Sequence, residues 1–325
     1  MEDTYNVSWG LLPLRQLLSR ALGERGINTE INQIFTTYGG NHALDLIIRW
    51  GIRPGDTVLV DDPGYYPLFW KLEIAGAKII GVNRLHDGPD AEDLRIKAAS
   101  SGAKFFFTQS LAHNPTGGSL TLGVAYNILK VAEEFNLYIV EDDPFADILP
   151  VNSVRLAALD QLRRVIYAGS FSKTLPGSVR VGYVAASQQI AVELNDIKIA
   201  TIISTSAQNE QLVYTLIEGA HYLKYLRKLR DEIHRATSDT VDSLERLGLN
   251  IARPLSGGYY LWLKLPTKSS SAELALAAAE QGIFIAPAEA FSLSTPKSPA
   301  LRVNVAYGND PKFLGWLQSV ISSEC

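Results

Sequence analysis

From about residue 25 to 205, short apolar runs alternate with helical stretches, and this order constrains the fold more than any other feature of the chain. Thr57-Val58-Leu59-Val60 follows the turn signal Arg53-Pro54-Gly55-Asp56. Lys78–Val82 and Lys104–Thr108 come next, then Tyr138–Val140, Val165–Ala168 and Gly182–Ala185. These runs lack the apolar-polar alternation of a half-buried strand, so both of their faces must be covered. Helical patterns such as Val124 to Phe135 lie between them. The order predicts an α/β fold: a three-layer large domain with a mostly parallel sheet between helices.

The texture changes after about residue 205. Leu226, Leu229, Ile233, Ala236, Val241, Leu244 and Leu247 recur at three-to-five-residue steps, which predicts one long amphipathic helix. Its other face carries Lys224, Arg227, Lys228, Arg230 and Arg235, laced with Asp231, Glu232 and Asp239. Mixed charge of this kind marks a solvated face rather than a nucleic-acid surface. A strand at Tyr259–Leu263, a helix at Ala272–Gln281 and strands near Ile283 and at Leu301–Val305 complete a smaller C-terminal α/β domain.

Composition narrows the function. The 325 residues carry a formal net charge of −4, which gives no electrostatic reason for binding nucleic acid. No apolar run reaches the roughly 18 residues that span a bilayer, so no membrane partner is expected. Met1-Glu2-Asp3-Thr4 lacks the basic-then-apolar plan of a signal peptide, and the expected location is cytoplasmic. Cys325 is the only cysteine, which excludes an internal disulfide, a Cys nucleophile and a Cys-based zinc site. The five histidines, at 42, 86, 113, 221 and 234, have no metal-motif spacing, and no metal is expected.

The densest polar constellation runs from Gly169-Ser170-Phe171-Ser172-Lys173 to Arg180, between a strand ending near Ala168 and another starting near Gly182. A Lys at a strand's C-terminal edge, beside apolar neighbours, is placed for a depressed amine pKa and for a Schiff base with an aldehyde. Ser170, Ser172 and Arg180 suit an anion beside it, such as a cofactor phosphate. Ser170-Phe-Ser-Lys173 also fits the S-x-x-K pattern of penicillin-binding enzymes, but the S-D-N and K-T-G partners of that pattern are absent. Taken alone, Lys173 reads as an ordinary loop lysine.

Two further features stand with it. Glu141-Asp142-Asp143-Pro144 directly follows a strand, where a parallel sheet opens its ligand crevice. One of these carboxylates can keep a pyridinium nitrogen protonated; a divalent-cation site is the alternative. Thr37-Tyr38-Gly39-Gly40-Asn41 opens an apolar helix, either as a phosphate-binding turn or as a plain helix entry.

In this arrangement the chain resembles the fold-type I pyridoxal-phosphate enzymes. It is most similar to class I/II aminotransferases of the aminoadipate/kynurenine branch and to the aminotransferase-like domain of MocR-type regulators. The likeness runs from Tyr5 to about Leu317. It is carried by His113-Asn114-Pro115-Thr116-Gly117, Glu141-Asp142-Asp143-Pro144 and Gly169-Ser-Phe-Ser-Lys-Thr-Leu175. Weaker strings are Asp62-Pro63-Gly64-Tyr65, Gly257-Gly258-Tyr259-Tyr260-Leu261-Trp262 and Leu301-Arg302-Val303.

The resemblance implies roles. Lys173 would carry the pyridoxal 5'-phosphate Schiff base and move the proton. Asp142 would pair with the pyridine nitrogen, Asn114 would bond the phenolic oxygen and Tyr65 would stack on the ring. Gly39, Gly40, Asn41, Ser170, Ser172 and Arg180 would hold the phosphate, and Arg302 the substrate carboxylate, alongside Asn114. Tyr5, in the family's Tyr-x-x-x-x-Gly stretch, would reach the phosphate of a neighbouring subunit, which implies a homodimer. The expected reaction is transfer of an amino group between an amino acid and a 2-oxo acid. The alternative is a ligand-sensing domain of a MocR/GntR-type regulator, since Glu210 to Arg235 looks much like that group. The implied division is an N-terminal segment (1–24) packed against the small domain and the dimer partner, a cofactor domain (25–205) and a small domain (206–325).

The chain departs from the family pattern. Phe145 stands where a Tyr usually helps hold the phenolic oxygen, and Gly40-Asn41 replaces Ser-Gln in the phosphate turn. The family's substrate-covering arm precedes its Tyr, and this sequence begins four residues before Tyr5, so a reduced arm is expected.

Overall fold

The computed structural model describes residues 7–251, 257–296 and 298–322. In the larger part the elements are α1 (Leu12–Glu24), β1 (Ile34–Thr37), α2 (Gly40–Gly51), β2 (Thr57–Asp62), α3 (Tyr66–Ile74), β3 (Lys78–Leu85) and β4 (Gly88–Pro89). They continue as α4 (Ala91–Ser101), β5 (Phe105–Thr108), α5 (Leu122–Glu134), β6 (Tyr138–Asp143), α6 (Leu156–Asp160), β7 (Val165–Ser170), β8 (Gly182–Ala185), α7 (Gln188–Ile202) and α8 (Ala207–Glu218). Beyond them lie α9 (Ala220–Arg246), β9 (Tyr260–Lys264), α10 (Ser271–Glu280), β10 (Ala286–Pro287), β11 (Ala300–Asn304) and α11 (Pro311–Ser322).

Eight strands form one sheet in the order β1-β8-β7-β6-β5-β2-β3-β4. Strands β3, β2, β5, β6 and β7 pair in parallel, whereas β8 runs antiparallel to both β7 and β1. The missing alternation in the sequence has a direct cause, because successive side chains point to opposite faces and both faces are buried. Leu59, Phe106, Ile139 and Val165 enter one apolar core with α1, α4 and α5. Val58, Val60, Phe105, Phe107, Val140 and Ile166 enter the other with α2, α3 and α7. In α2, Ala43, Leu44, Leu46, Ile47 and Ile48 form the buried stripe, each large side chain contributing about 1.5–3 kcal/mol.

A three-stranded antiparallel sheet, β10-β11-β9, packs with α10, α11 and the end of α9 around Leu261, Leu263, Leu301 and Val303. The long helix lies where its periodicity placed it. Leu226, Ile233, Val241 and Leu244 are buried and Lys224, Arg227 and Lys228 exposed. Arg230 departs from the expected solvated face, since its guanidinium donates to the carbonyls of Asp147 (2.6 Å) and Ile148 (2.8 Å). The strand expected near Ile283 starts later, at Ala286. Gly282, at φ 71°, ends α10, and the Ile283 N–H bonds the Ala278 carbonyl, so that backbone is committed to capping the helix. Among the described residues no helix is long and apolar enough to cross a membrane.

Candidate active site

The C-terminal ends of β2, β5, β6 and β7 face one crevice, the usual ligand position in an open α/β sheet. The pleat decides what each carboxylate of Glu141-Asp142-Asp143 can do. Glu141 turns to one face and accepts the Leu156 and Ala157 backbone N–H groups at 2.9 and 2.7 Å. Asp143 turns the same way and takes the Arg155 Nε (2.8 Å) and the Tyr167 hydroxyl (2.8 Å). Asp142 alone points into the crevice, so the three carboxylates do not converge on one cation. Burial raises the Asp142 pKa to about 6, against the lowering effects of the Gln109 amide and the Lys173 charge.

Asp142 Oδ2 accepts from Gln109 Nε2 at 2.7 Å, and Oδ1 has no donor among the described residues. Gln109 Oε1 in turn accepts the backbone N–H of Asn114 at 2.8 Å. Asn114 Oδ1 accepts from Arg302 Nη1 at 3.0 Å. The Arg302 guanidinium lies 4.5 Å from the ring centre of Tyr260 and 4.9 Å from that of Phe291. Asp142 on β6, Gln109 and Asn114 in the loop after β5, and Arg302 on β11 thus form one polar chain, linked in part through the Asn114 backbone. Tyr65, at the start of α3, lines a cavity of about 20 Å³ together with Asp142, Gln109, His113 and Asp61.

The rim is built from turns. Gly39, at φ 75°, lets the backbone enter α2, and a Cβ there would sit 3.1 Å from Arg180 Nη2. The first N–H groups of α2, at Gly40 and Asn41, have no intrahelical acceptor. A Cβ on Gly40 would lie 3.4 Å from Ser170 Cβ and 3.6 Å from Asp142 Oδ1. The glycine turn therefore meets the end of β7 and the Asp142 carboxylate. Ser170 Oγ donates to Ser172 Oγ at 3.0 Å. Arg180, itself at φ 51° and exposed, donates to the Tyr38 carbonyl at 3.1 Å. Lys173 Nζ has no hydrogen-bond acceptor among the described residues and lies 6.0 Å from the ring centres of both Phe145 and Tyr260. Tyr259 donates to the Lys173 carbonyl at 3.1 Å.

The structure brings together Gly39, Gly40, Tyr65, Asn114, Asp142, Ser170, Ser172, Lys173, Arg180 and Arg302 around one crevice, with Asn41 exposed on the first turn of α2. Tyr5 lies outside the described residues. Sequence reasoning missed Gln109, Tyr260 and Phe291. Gln109 stands in an unmarked loop, and the two aromatic rings reach Arg302 from elements remote in the chain. The available signal was the Tyr259-Tyr260 pair inside a recognised string.

The chain is 27 % identical over 309 residues to the uncharacterised helix-turn-helix-type transcriptional regulator YdfD of Bacillus subtilis. That match covers 94 % of this chain but 64 % of the regulator, so the chain spans less than two thirds of that relative's length. It is 26 % identical over 321 residues to aromatic-amino-acid aminotransferase 1 of Thermococcus litoralis, covering 95 % of this chain and 76 % of that one. The crystal structure of Pyrococcus horikoshii kynurenine aminotransferase superposes with a TM-score of 0.90 at 27 % identity, over 99 % of this chain and 83 % of the other. A model of the aminotransferase class I and II family matches residues 4–314, and the chain belongs to that family.

Proposed function

We propose that the protein is a pyridoxal-phosphate-dependent aminotransferase that moves an amino group between an amino acid and a 2-oxo acid. The observation that carries this reading is the polar chain from Asp142 through Gln109 and Asn114 to Arg302, with Lys173 Nζ 6.0 Å from the Tyr260 ring that Arg302 lies over. The donor set suits the cofactor. Among the described residues Asp142 offers one oxygen without a donor, beside a glycine turn and a pair of serine hydroxyls shaped for a phosphate. When bound, pyridoxal phosphate supplies an electron sink for the negative charge left on a substrate carbon.

The residues divide the work. Asp142 would pair with the ring nitrogen and keep it protonated, and Asn114 and Tyr65 would help hold the ring. Gly39, Gly40, Asn41, Ser170, Ser172 and Arg180 bind the phosphate. Lys173 would hold the cofactor when it is loaded, and its amine is the base placed to take up and return the substrate's α-proton. Arg302 grips the α-carboxylate with its planar fork, and the stacked Tyr260 and Phe291 rings keep that fork in one orientation. A cavity of about 530 Å³ lined by Tyr66, Trp70, Phe291 and Arg302 offers room beside the guanidinium.

Reduction of the loaded protein with borohydride tests the assignment. Peptide mass analysis is expected to find the adduct on Lys173, and Lys173→Ala is expected to have no adduct and no visible band. An adduct on another lysine overturns it. The reading keeps the division at about residues 24 and 205, a cytoplasmic location and a homodimer, the last resting on the family likeness at Tyr5. Sedimentation giving a single chain mass opposes the dimer. A second reading, a ligand-sensing domain of a transcription regulator, is favoured by one observation, the match to the regulator. Cofactor binding without release of oxo acid from any amino acid would select it.

A further inference from the structure

The proposed roles leave Gln109 unassigned, yet its side chain bonds both Asp142 and Asn114. It is 5 % exposed, at the end of β5. Its Nε2 donates to Asp142 Oδ2 at 2.7 Å and its Oε1 accepts the Asn114 N–H at 2.8 Å. Its own backbone N–H donates to Asp61 Oδ2 at 3.2 Å. That oxygen also takes Thr108 Oγ1 at 2.8 Å and Arg84 Nη1 at 3.0 Å, in an ion pair with almost no exposure. Gln109 is therefore fixed from behind by a buried charge pair and reaches forward to two residues at the candidate cofactor site.

The partners leave the amide one orientation. Turning it over would set Oε1 against the Asp142 carboxylate and the NH2 group against the Asn114 N–H, losing both bonds. In the observed orientation Nε2–H engages one carboxylate oxygen, which stabilises the ionised form and leaves Oδ1 as the oxygen facing the crevice. We propose that Gln109 is a positioning residue that aims the Asp142 carboxylate at the cofactor's ring nitrogen and holds Asn114 in register with it. The inference rests on the aminotransferase reading.

The electrostatics agree with the geometry. Burial pushes Asp142 up to about 6, and the Gln109 hydrogen bond is the first of the influences that oppose this. The other groups facing Asp142 are Asp143 on its own strand, which raises it, and Lys173 from the neighbouring loop, which lowers it. Tyr65, His113 and Asp61 share the small cavity beside it. Burial holds His113 neutral and keeps Tyr65 protonated, so neither places a charge beside the Asp142 carboxylate. Gln109 is thus the one neutral donor aimed at this carboxylate among the described residues.

Two substitutions test the role. Gln109→Leu removes both bonds at similar volume. Gln109→Glu keeps the shape but sets a second carboxyl against Asp142, where the two must share one proton. The readouts are the 15N resonance of ring-labelled cofactor in the loaded protein, the cofactor dissociation constant, and kcat and KM across pH. Gln109→Glu is expected to shift the ring nitrogen toward its unprotonated resonance at neutral pH and to lower kcat about tenfold or more, with KM changed less than threefold. Gln109→Leu is expected to weaken cofactor binding about tenfold. Should Gln109→Leu fail to fold, Gln109→Glu decides. Wild-type ring-nitrogen resonance, kcat and pH profile in folded Gln109→Glu overturn the inference and leave the aminotransferase reading standing. A wild-type protein that binds no cofactor overturns that reading, and this inference with it.

Discussion

The floor and the rim of the crevice are built on opposite principles. On the floor, charges are matched from within the chain: Arg155 with Asp143, Arg84 with Asp61, Glu141 with two backbone N–H groups. On the rim, the Lys173 amine, the Ser172 hydroxyl and the opening N–H groups of α2 face the crevice with few internal partners. The buried charges must be satisfied before any ligand arrives, because an unpaired buried ion costs several kcal/mol. The rim's donors stay solvated until an anion displaces the water. The floor therefore reports on stability and the rim on binding.

Arg155→Ala should have the largest effect on stability. The side chain is fully buried and holds Asp143 at 2.8 Å and the Val151 carbonyl at 3.1 Å. Its loss leaves a buried carboxylate without its cation, which costs about 3–5 kcal/mol. Urea unfolding of the apoprotein checks this, and a loss below about 1 kcal/mol would erase the contrast between floor and rim.

Asp142→Asn should act with the opposite sign in the apoprotein. The folded protein holds the Asp142 proton up to about pH 6, against an ordinary value of 3.8. The native state therefore binds the proton more tightly than the unfolded chain, and stability falls as pH rises through that window. Asn does not titrate. The variant should match wild type near pH 4 and exceed it above pH 6 by on the order of 1–3 kcal/mol. In the loaded protein the advantage should vanish, since the carboxylate then has a partner. Parallel thermal melts at pH 4 and pH 7 settle the sign.

Arg180→Ala should have the smallest effect on the fold. The side chain is exposed and, among the described residues, makes one bond, to the Tyr38 carbonyl, so the apoprotein should lose less than about 0.5 kcal/mol. Cofactor affinity should still fall about tenfold, or roughly 1.4 kcal/mol. A variant that unfolds readily and binds normally would reverse the assignment of Arg180 to the rim.

Much of this was legible in the sequence because it follows from local pattern. Phe105-Phe106-Phe107 reads as a strand buried on both faces, and its rings do divide between two cores. Gly39-Gly40 reads as a helix entry, and Gly39 takes the positive φ that entry requires. What could not be read depends on direction or distance. Glu141, Asp142 and Asp143 are equivalent as a string; the family likeness singled out Asp142, and the pleat supplies the physical reason by sending the other two away from the crevice. Gln109 has no composition signal, because its meaning lies in the simultaneous reach to Asp142 and Asn114. The stacking of Arg302 between Tyr260 and Phe291 joins residues on different elements of the small sheet and its approach loop. The strand expected near Ile283 begins at Ala286, because the Ile283 N–H closes the end of α10.

The central claim is that Lys173, Asp142 and Arg302 together carry out amino-group transfer. The most direct measurement is a half-reaction: the loaded protein is mixed with single amino acids, and the visible absorbance and the released acid are followed together. The account predicts that at least one amino acid abolishes the visible band and yields about one equivalent of its 2-oxo acid per bound cofactor, and that a 2-oxo acid restores the band. A visible band that binds amino acids yet returns no oxo acid from any of them would contradict it.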